Sequence, residues 1–281
     1  MTLFLLQLRG ELTKLFARKR TYIGFGAFLV VEGLLLFMLH LPKPKEHFRR
    51  LIEENGYGFE QYFSGLTVGL LILMWTTFLL GALYLALVSG DVISKEAEEG
   101  TLRMTLCRPI SRGRIIVLKY LACLLYTFAL TAFIGLSALL AGICYRGVGG
   151  LFAFEQQVKL FALFEFVPGL ERYAAAIPLL ALGLVSITSL GFMFSCFNMK
   201  PAAATIVTLS LMFLDSIFRG IPYFESLRPY FITARMATWL NIFRDTIPWP
   251  QIIEDYAWLL ALDATLVLVG LASFQQRDFK S

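Results

Sequence analysis

Charge is the scarcest resource in this chain. Only 16% of its 281 residues are Asp, Glu, Lys or Arg, while 58% are hydrophobic, against roughly 25% charged in an ordinary soluble domain. A soluble fold has no place to hide so much apolar surface. Histidine and cysteine are also few. Two histidines, His40 and His47, lie in what reads as a polar loop and fit no zinc-ligand spacing, and no metal site is expected. The four cysteines, Cys107, Cys123, Cys144 and Cys196, include no C-x-x-C pair and read as small buried hydrophobes rather than disulfide partners. No G-x-x-x-x-G-K-[ST] run occurs, so the chain carries no phosphate cradle for ATP. Nor do its first residues follow a secretory-signal pattern, because the apolar Leu3–Leu8 stretch precedes the positive charges.

What the chain has in abundance is long apolar runs, and its mean hydropathy is +0.70. Six stretches are expected to span a bilayer: 22–39, 65–88, 115–145, 173–197, 202–218 and 256–274, each near the roughly 20 residues a crossing needs. Backbone in lipid must satisfy its own hydrogen bonds, so these are helices, and alternating barrel segments are absent. The fold class is therefore an all-α integral membrane protein of six transmembrane helices. Residues 198–201 read as a tight helical hairpin with Pro201 in the first turn of the next helix. Ahead of the spans, Leu5, Leu8, Leu12, Leu15 and Phe16 recur at helical spacing while Arg9, Glu11, Lys14 and Arg18 fall elsewhere on the wheel. Residues 1–20 are thus expected to form an amphipathic interfacial helix, and 21–281 one membrane domain.

The net charge of +5 sits beside the spans, which suits anionic lipid headgroups and topology control better than nucleic acid. With both termini inside, Lys and Arg number 14 on the inner segments and 11 on the much longer outer ones. That density places both termini in the cytoplasm. Residues 219–255 then form an external loop rich in aromatics and proline. It reads either as a loop on the headgroups or as short helices dipping back to cap a pathway.

The segment 90–114 joins spans two and three. It begins acidic, at Asp91 and 94–99, steps through Gly100, Thr101 and Leu102, and ends basic at Arg108, Pro109, Ile110, Ser111 and Arg112. Gly100 is placed to end one helix, 101–106 to form a short second one, and Ser111 to cap span three. A compact helix with alternating acids suits a docking element better than a solvated loop.

That pattern, Glu96-x-x-x-Gly100-Thr101-Leu102 followed by Arg108-Pro109-Ile110-Ser111-Arg112 and then Lys119 opening a long span, resembles the ABC-2 type permease family. The resemblance covers nearly the whole chain, down to the closing Phe274-Gln275-Gln276-Arg277-Asp278. It implies a permease subunit of an ATP-driven transporter in the cell membrane, while the aromatic external loops and a mostly apolar cavity lean towards export of an amphipathic molecule. It also implies that Glu96, Glu98, Glu99, Gly100, Thr101, Leu102 and Arg103, with Pro109 and Arg112, form a coupling helix docked on a cytoplasmic ATPase subunit. A second permease subunit completes the assembly. ATP and magnesium belong to the partner, and no cofactor is expected in this chain.

Three acids, Glu32, Asp215 and Asp263, fall inside apolar runs. Such residues usually face protein or water, so they are candidate pathway or dimer-interface groups. Asp263 could line a dimer seam, pair with a basic group, or be protonated. Ser186, Thr188, Ser189 and Ser195 on span four read as interhelical hydrogen-bond partners, and Gly65-x-x-x-Gly69 as a close-approach motif. The competing readings are an intramembrane enzyme and a scaffold that recruits an ATPase without transport. The aspartyl-protease contexts Tyr-Asp and Gly-x-Gly-Asp are missing, as are Gly-x-Ser-x-Gly and a membrane histidine.

Overall fold

The computed structural model describes residues 2–17, 19–106, 110–156, 158 and 160–277. Among the described residues, five helices are long and apolar enough to cross a bilayer alone. With α1 (Thr2–Ala17) leading, they are α2 (Lys19–His40), α8 (Arg112–Arg146), α9 (Phe166–Cys196), α10 (Pro201–Gly220) and α12 (Trp249–Gln276). The remaining expected span is divided. α5 (Gly65–Thr76) passes through a π-helical turn at Thr77–Gly81 into α6 (Ala82–Glu98). α5 alone, at 12 residues, reaches only about 18 Å and falls short of a roughly 30 Å hydrocarbon core. The helical run from Gly65 to Glu98 is unbroken, however, and forms one apolar rod.

Local chemistry sets the boundaries. Ser64 accepts a hydrogen bond from the Leu66 amide at the start of α5, and Ser111 accepts one from Arg114 at the start of α8. Pro201 opens α10 at a position where its missing N–H costs nothing. Gly147, at φ +76, lets the chain turn out of α8 in a left-handed conformation. α8 has 35 residues, or about 52 Å, so it projects well beyond the bilayer core.

Small residues let the rods touch. A Cβ on Gly142 of α8 would lie 2.2 Å from the Gly65 carbonyl and 2.9 Å from the Gly69 amide. The Gly65-x-x-x-Gly69 stripe is therefore a backbone-to-backbone seam between α5 and α8, where dispersion does the holding. On the other side of the rod, a Cβ at Gly191 of α9 would meet Ser89 Oγ of α6 at 2.2 Å.

Two features depart from the sequence reading. The stretch after α2, expected as a polar loop, is the amphipathic helix α3 (Pro42–Glu53), with Phe48 and Ile52 buried, followed by the single turn α4 (Phe59–Tyr62). Between α8 and α9 an antiparallel hairpin pairs β1 (Leu151–Glu155) with β2 (Leu160–Phe164), Leu151 opposite Phe164. Its strands contain no β-branched residue. They are held instead by packing, and by the Phe152 amide donating to Thr67 Oγ1 at 2.7 Å. Of the cysteines, Cys123 and Cys196 are buried, Cys144 is exposed, and Cys107 lies outside the described residues.

The expected loop 219–255 takes in the end of α10 and the start of α12, with successive short helices between them. A 3-10 turn (Pro222–Tyr230) leads to the short helix α11 (Ile232–Met236) and a second 3-10 turn (Ala237–Phe243). Trp239, Leu240, Ile242 and Phe243 of that last turn join the hydrophobic core. Arg172 of α9 reinforces the docking by donating to the Ile242 carbonyl at 2.6 Å.

Candidate coupling site

α6 reaches the end of the bundle as a buried helix. Ser195 of α9 accepts from two of its amides, Ile93 at 2.9 Å and Ser94 at 3.1 Å. α6 is thereby clasped to α9 one turn before its charged end. Gly100, at φ +74, then reverses the chain, and nothing lies within 4 Å of where its Cβ would be. The left-handed conformation, not crowding, is what asks for glycine here. The short helix α7 (Thr101–Leu106) follows. Thr101 Oγ1 donates back to the Glu96 carbonyl at 3.3 Å, and Leu102, 1% exposed, plugs α7 into the core.

The expected site residues therefore divide. Glu98, Glu99 and Gly100 are exposed at the tip, and Thr101 is half-buried. Glu96 is buried and faces inward. Its Oε1 accepts from Lys119 Nζ of α8 at 2.7 Å. Arg112 begins α8 and donates to the Gln275 and Arg277 carbonyls, each at 3.1 Å, at the end of α12. Arg277 in turn donates to the Phe197 carbonyl at 3.2 Å and to Asn198 Oδ1 at 2.5 Å. That chain of contacts ties the end of α12 to both α8 and the α9–α10 hairpin. The backbone of Arg103 lies in α7, and Pro109 is outside the described residues.

Lys119 is the centre that residue spacing did not reveal. It is 1% exposed, and it also donates to Glu11 Oε2 of α1 at 2.9 Å. Glu11 Oε1 takes a second bond from Lys14 at 2.7 Å. Two acids and two bases on three helices thus neutralise one another. Burial pushes the Glu11 carboxyl up, but the Lys119 charge and the hydrogen bonds from Lys119 and Lys14 hold it below its ordinary value. A signal did exist: a lysine at the fifth residue of the expected span 115–145 needs a partner, and Glu11 lay on the polar face of α1. Met104 was also missed. It is 69% exposed on α7 beside the acidic tip, a large apolar side chain open to a partner.

The three intramembrane acids do not converge. Glu32 on α2 accepts from Ser137 Oγ of α8 at 2.6 Å. Asp215 on α10 caps α11, accepting from the Ile232 and Thr233 amides at 3.0 and 2.8 Å and from the Thr233 hydroxyl at 2.5 Å. Asp263 on α12 stands against α9 beside Ser186 and Ser189. Elsewhere on α9, Thr188 pairs with Thr127 of α8 at 2.8 Å and Ser189 with Tyr120 at 2.8 Å, so these hydroxyls knit helices together.

Comparison with known proteins agrees with this architecture. The model of the ABC-2 family transporter protein matches residues 13–279. YhcI, an uncharacterized protein of Bacillus subtilis (strain 168), is 26% identical over 113 residues, which are 39% of this chain and 36% of YhcI. The chain thus covers little more than a third of that relative. With five long apolar helices among the described residues and residues 13–279 matched, the chain belongs to the ABC-2 family of transporter proteins, as a multi-pass membrane permease component.

Proposed function

We propose that this chain is the permease subunit of an ATP-driven exporter, powered by a separate cytoplasmic ATPase subunit and completed by a second permease copy. In this reading it spans the cell membrane six times, the rod Gly65–Glu98 supplying the sixth crossing, and both termini lie in the cytoplasm. The exposed tip of Glu98, Glu99, Gly100 and Met104 is the docking element. ATP and magnesium act in the partner, and residues 219–255 cap the external end of the path.

The observation that carries this reading is the Glu96–Lys119–Glu11 cluster. Force from a closing ATPase reaches the bilayer only through a rigid connection. Here α7 is anchored by Leu102, and the last turn of α6 is ion-paired to α8. The same lysine holds α1. A push at the tip therefore moves two spans and the interfacial helix together. Glu96 acts as an internal strut, while Glu98 and Glu99 meet the partner.

The test is co-purification with the ATPase. Glu98→Lys with Glu99→Lys leaves membrane insertion intact, because both side chains are exposed. It weakens association, most at low salt where charges are least screened. Normal binding and stimulation by the double variant would reduce the tip to a solvated turn. Topology is checked separately. A Ser281→Cys variant resists membrane-impermeant thiol reagents in intact cells, and Glu54→Cys reacts. The opposite pattern reverses the orientation.

A further inference from the structure

We propose that Asp263 is a proton-binding site, a carboxylic acid kept neutral at neutral pH that latches α12 to α9 through the hydroxyls of Ser186 and Ser189. Burial and the lack of a counter-charge carry the inference. Asp263 is 3% exposed within a single protomer, so it does not wait for a second copy to cover it. Neither of its oxygens, nor Ser186 Oγ, has a hydrogen-bond partner. The Ser186 and Ser189 hydroxyls nonetheless stand beside the carboxyl. Ser189 in turn bonds Tyr120 Oη of α8 at 2.8 Å.

The charged and titratable groups on the elements packed against α12 are committed elsewhere. On α11, Arg235 pairs with Asp255 at 2.9 Å, eight residues or about 12 Å before Asp263 along the helix. The turn Ala237–Phe243 carries no titratable group. On α8, Lys119 faces Glu11 and Glu96, which leaves Tyr120 beside Asp263, with the buried Cys123 thiol next to Tyr120. On α9, Tyr173 donates to the Gly135 carbonyl, Arg172 donates to carbonyls of the 242–245 turn, and Cys196 lies against Gly270, two turns beyond Asp263. Among the described residues no lysine or arginine forms an ion pair with Asp263. A lone ionised carboxylate among apolar helices is unfavourable, and one bound proton removes its charge. It also gives the group an O–H donor that the carboxylate lacks, matching the waiting hydroxyl oxygens. The acid ionises only when α12 parts from α9 and water enters. Separation of these two helices is thereby linked to proton release.

Infrared spectroscopy of the purified full-length chain in lipid tests this without any ATPase, so its outcome is independent of the coupling assignment. At neutral pH the wild type shows the carbonyl stretch of a protonated, buried carboxylic acid. Asp263→Asn loses that band, and Ser186→Ala or Ser189→Ala shifts it. Where Asp263→Asn does not fold, the serine variants decide: an unshifted band overturns the proposal. So does a wild-type spectrum unchanged by Asp263→Asn. A band that emerges only when sodium is replaced by choline would mark a cation site and overturn the proton assignment.

Discussion

Lys119 and Tyr120 are neighbours in sequence, yet they enter two polar clusters on different sides of α8, built on opposite principles. Lys119 joins α1 and α6 through full charges, each answered by another within 3 Å. Tyr120 joins α9 and, beyond it, α12 through hydroxyls and a single acid with no cation partner. A membrane bundle can bury ionisable groups by matching charges or by discarding them. This chain does both within one helical turn. The first solution is strong, directional and sensitive to the loss of any member. The second is soft, because a neutral hydrogen bond is worth only about 1 kcal/mol. A rigid strut suits the first, and an interface that must open and close suits the second.

The sharpest way to break the comparison is to remove the shared cation. Lys119→Met strands Glu11 and Glu96 without their buried counter-charge. The expected cost is about 3–5 kcal/mol, seen as a large fall in thermal midpoint and in the yield of folded protein. Restoring neutrality with Glu11→Gln and Glu96→Gln in the same chain recovers much of the loss. Asp263→Asn replaces a neutral acid by a neutral amide of the same shape and is expected to cost less than about 1 kcal/mol. Equal losses from Lys119→Met and Asp263→Asn would mean that both clusters are charged.

A smaller effect is expected from displacing the helix that carries both clusters. Gly142→Val drives a side chain into the Gly65 carbonyl and the Gly69 amide, which are backbone atoms and cannot rotate away. Overpacking of this kind costs about 1–3 kcal/mol, and it shifts α8 against α5. Gly113→Ala, in the same helix with nothing within 4 Å of its Cβ position, is the control. It should be neutral or stabilising by up to about 1 kcal/mol. Thermal unfolding of the two variants in detergent separates crowding at the seam from any general intolerance of α8.

The contrast also marks how far residue order could be read. The long helices were legible because each apolar run exceeds what a soluble core would use, and Ser111, Pro201 and Gly100 mark boundaries by their own local chemistry. The π turn at Thr77–Gly81 was not, since no proline or charge announces it. The hairpin 151–164 was hidden because its strands carry Leu, Phe and Ala where β-branched residues would advertise them. Within the candidate site, the exposed tip was visible as a pattern, but the strut was not. Lys119 is 23 residues from Glu96 and 108 from Glu11, and pairing over such distances follows from packing, not from spacing. The cap that Asp215 makes was hidden for the same reason. Its partners, the Ile232 and Thr233 amides, come from a helix that begins seventeen residues later.

The finest distinction between the clusters is the direction of their response to acid. Burial alone would raise the Glu11 carboxyl, but Lys119, aided by Lys14, holds it below its ordinary value in the folded chain. A group whose folded pKa lies below its unfolded value contributes stability above the unfolded pKa, about 4.3 for glutamate. It loses that contribution as the pH falls through the folded value. At neutral pH, Glu11→Gln is therefore less stable than the wild type. The gap closes as the pH drops below about 4, where the wild-type carboxylate takes a proton and releases its hold on Lys119. Asp263→Asn should show no such convergence, because the acid it replaces already carries its proton at neutral pH. Thermal midpoints of the wild type and both variants from neutral to acidic pH measure this directly. A Glu11→Gln gap that persists undiminished into acid would show that packing, not charge, joins α1 to α8, and the contrast between the two clusters would collapse.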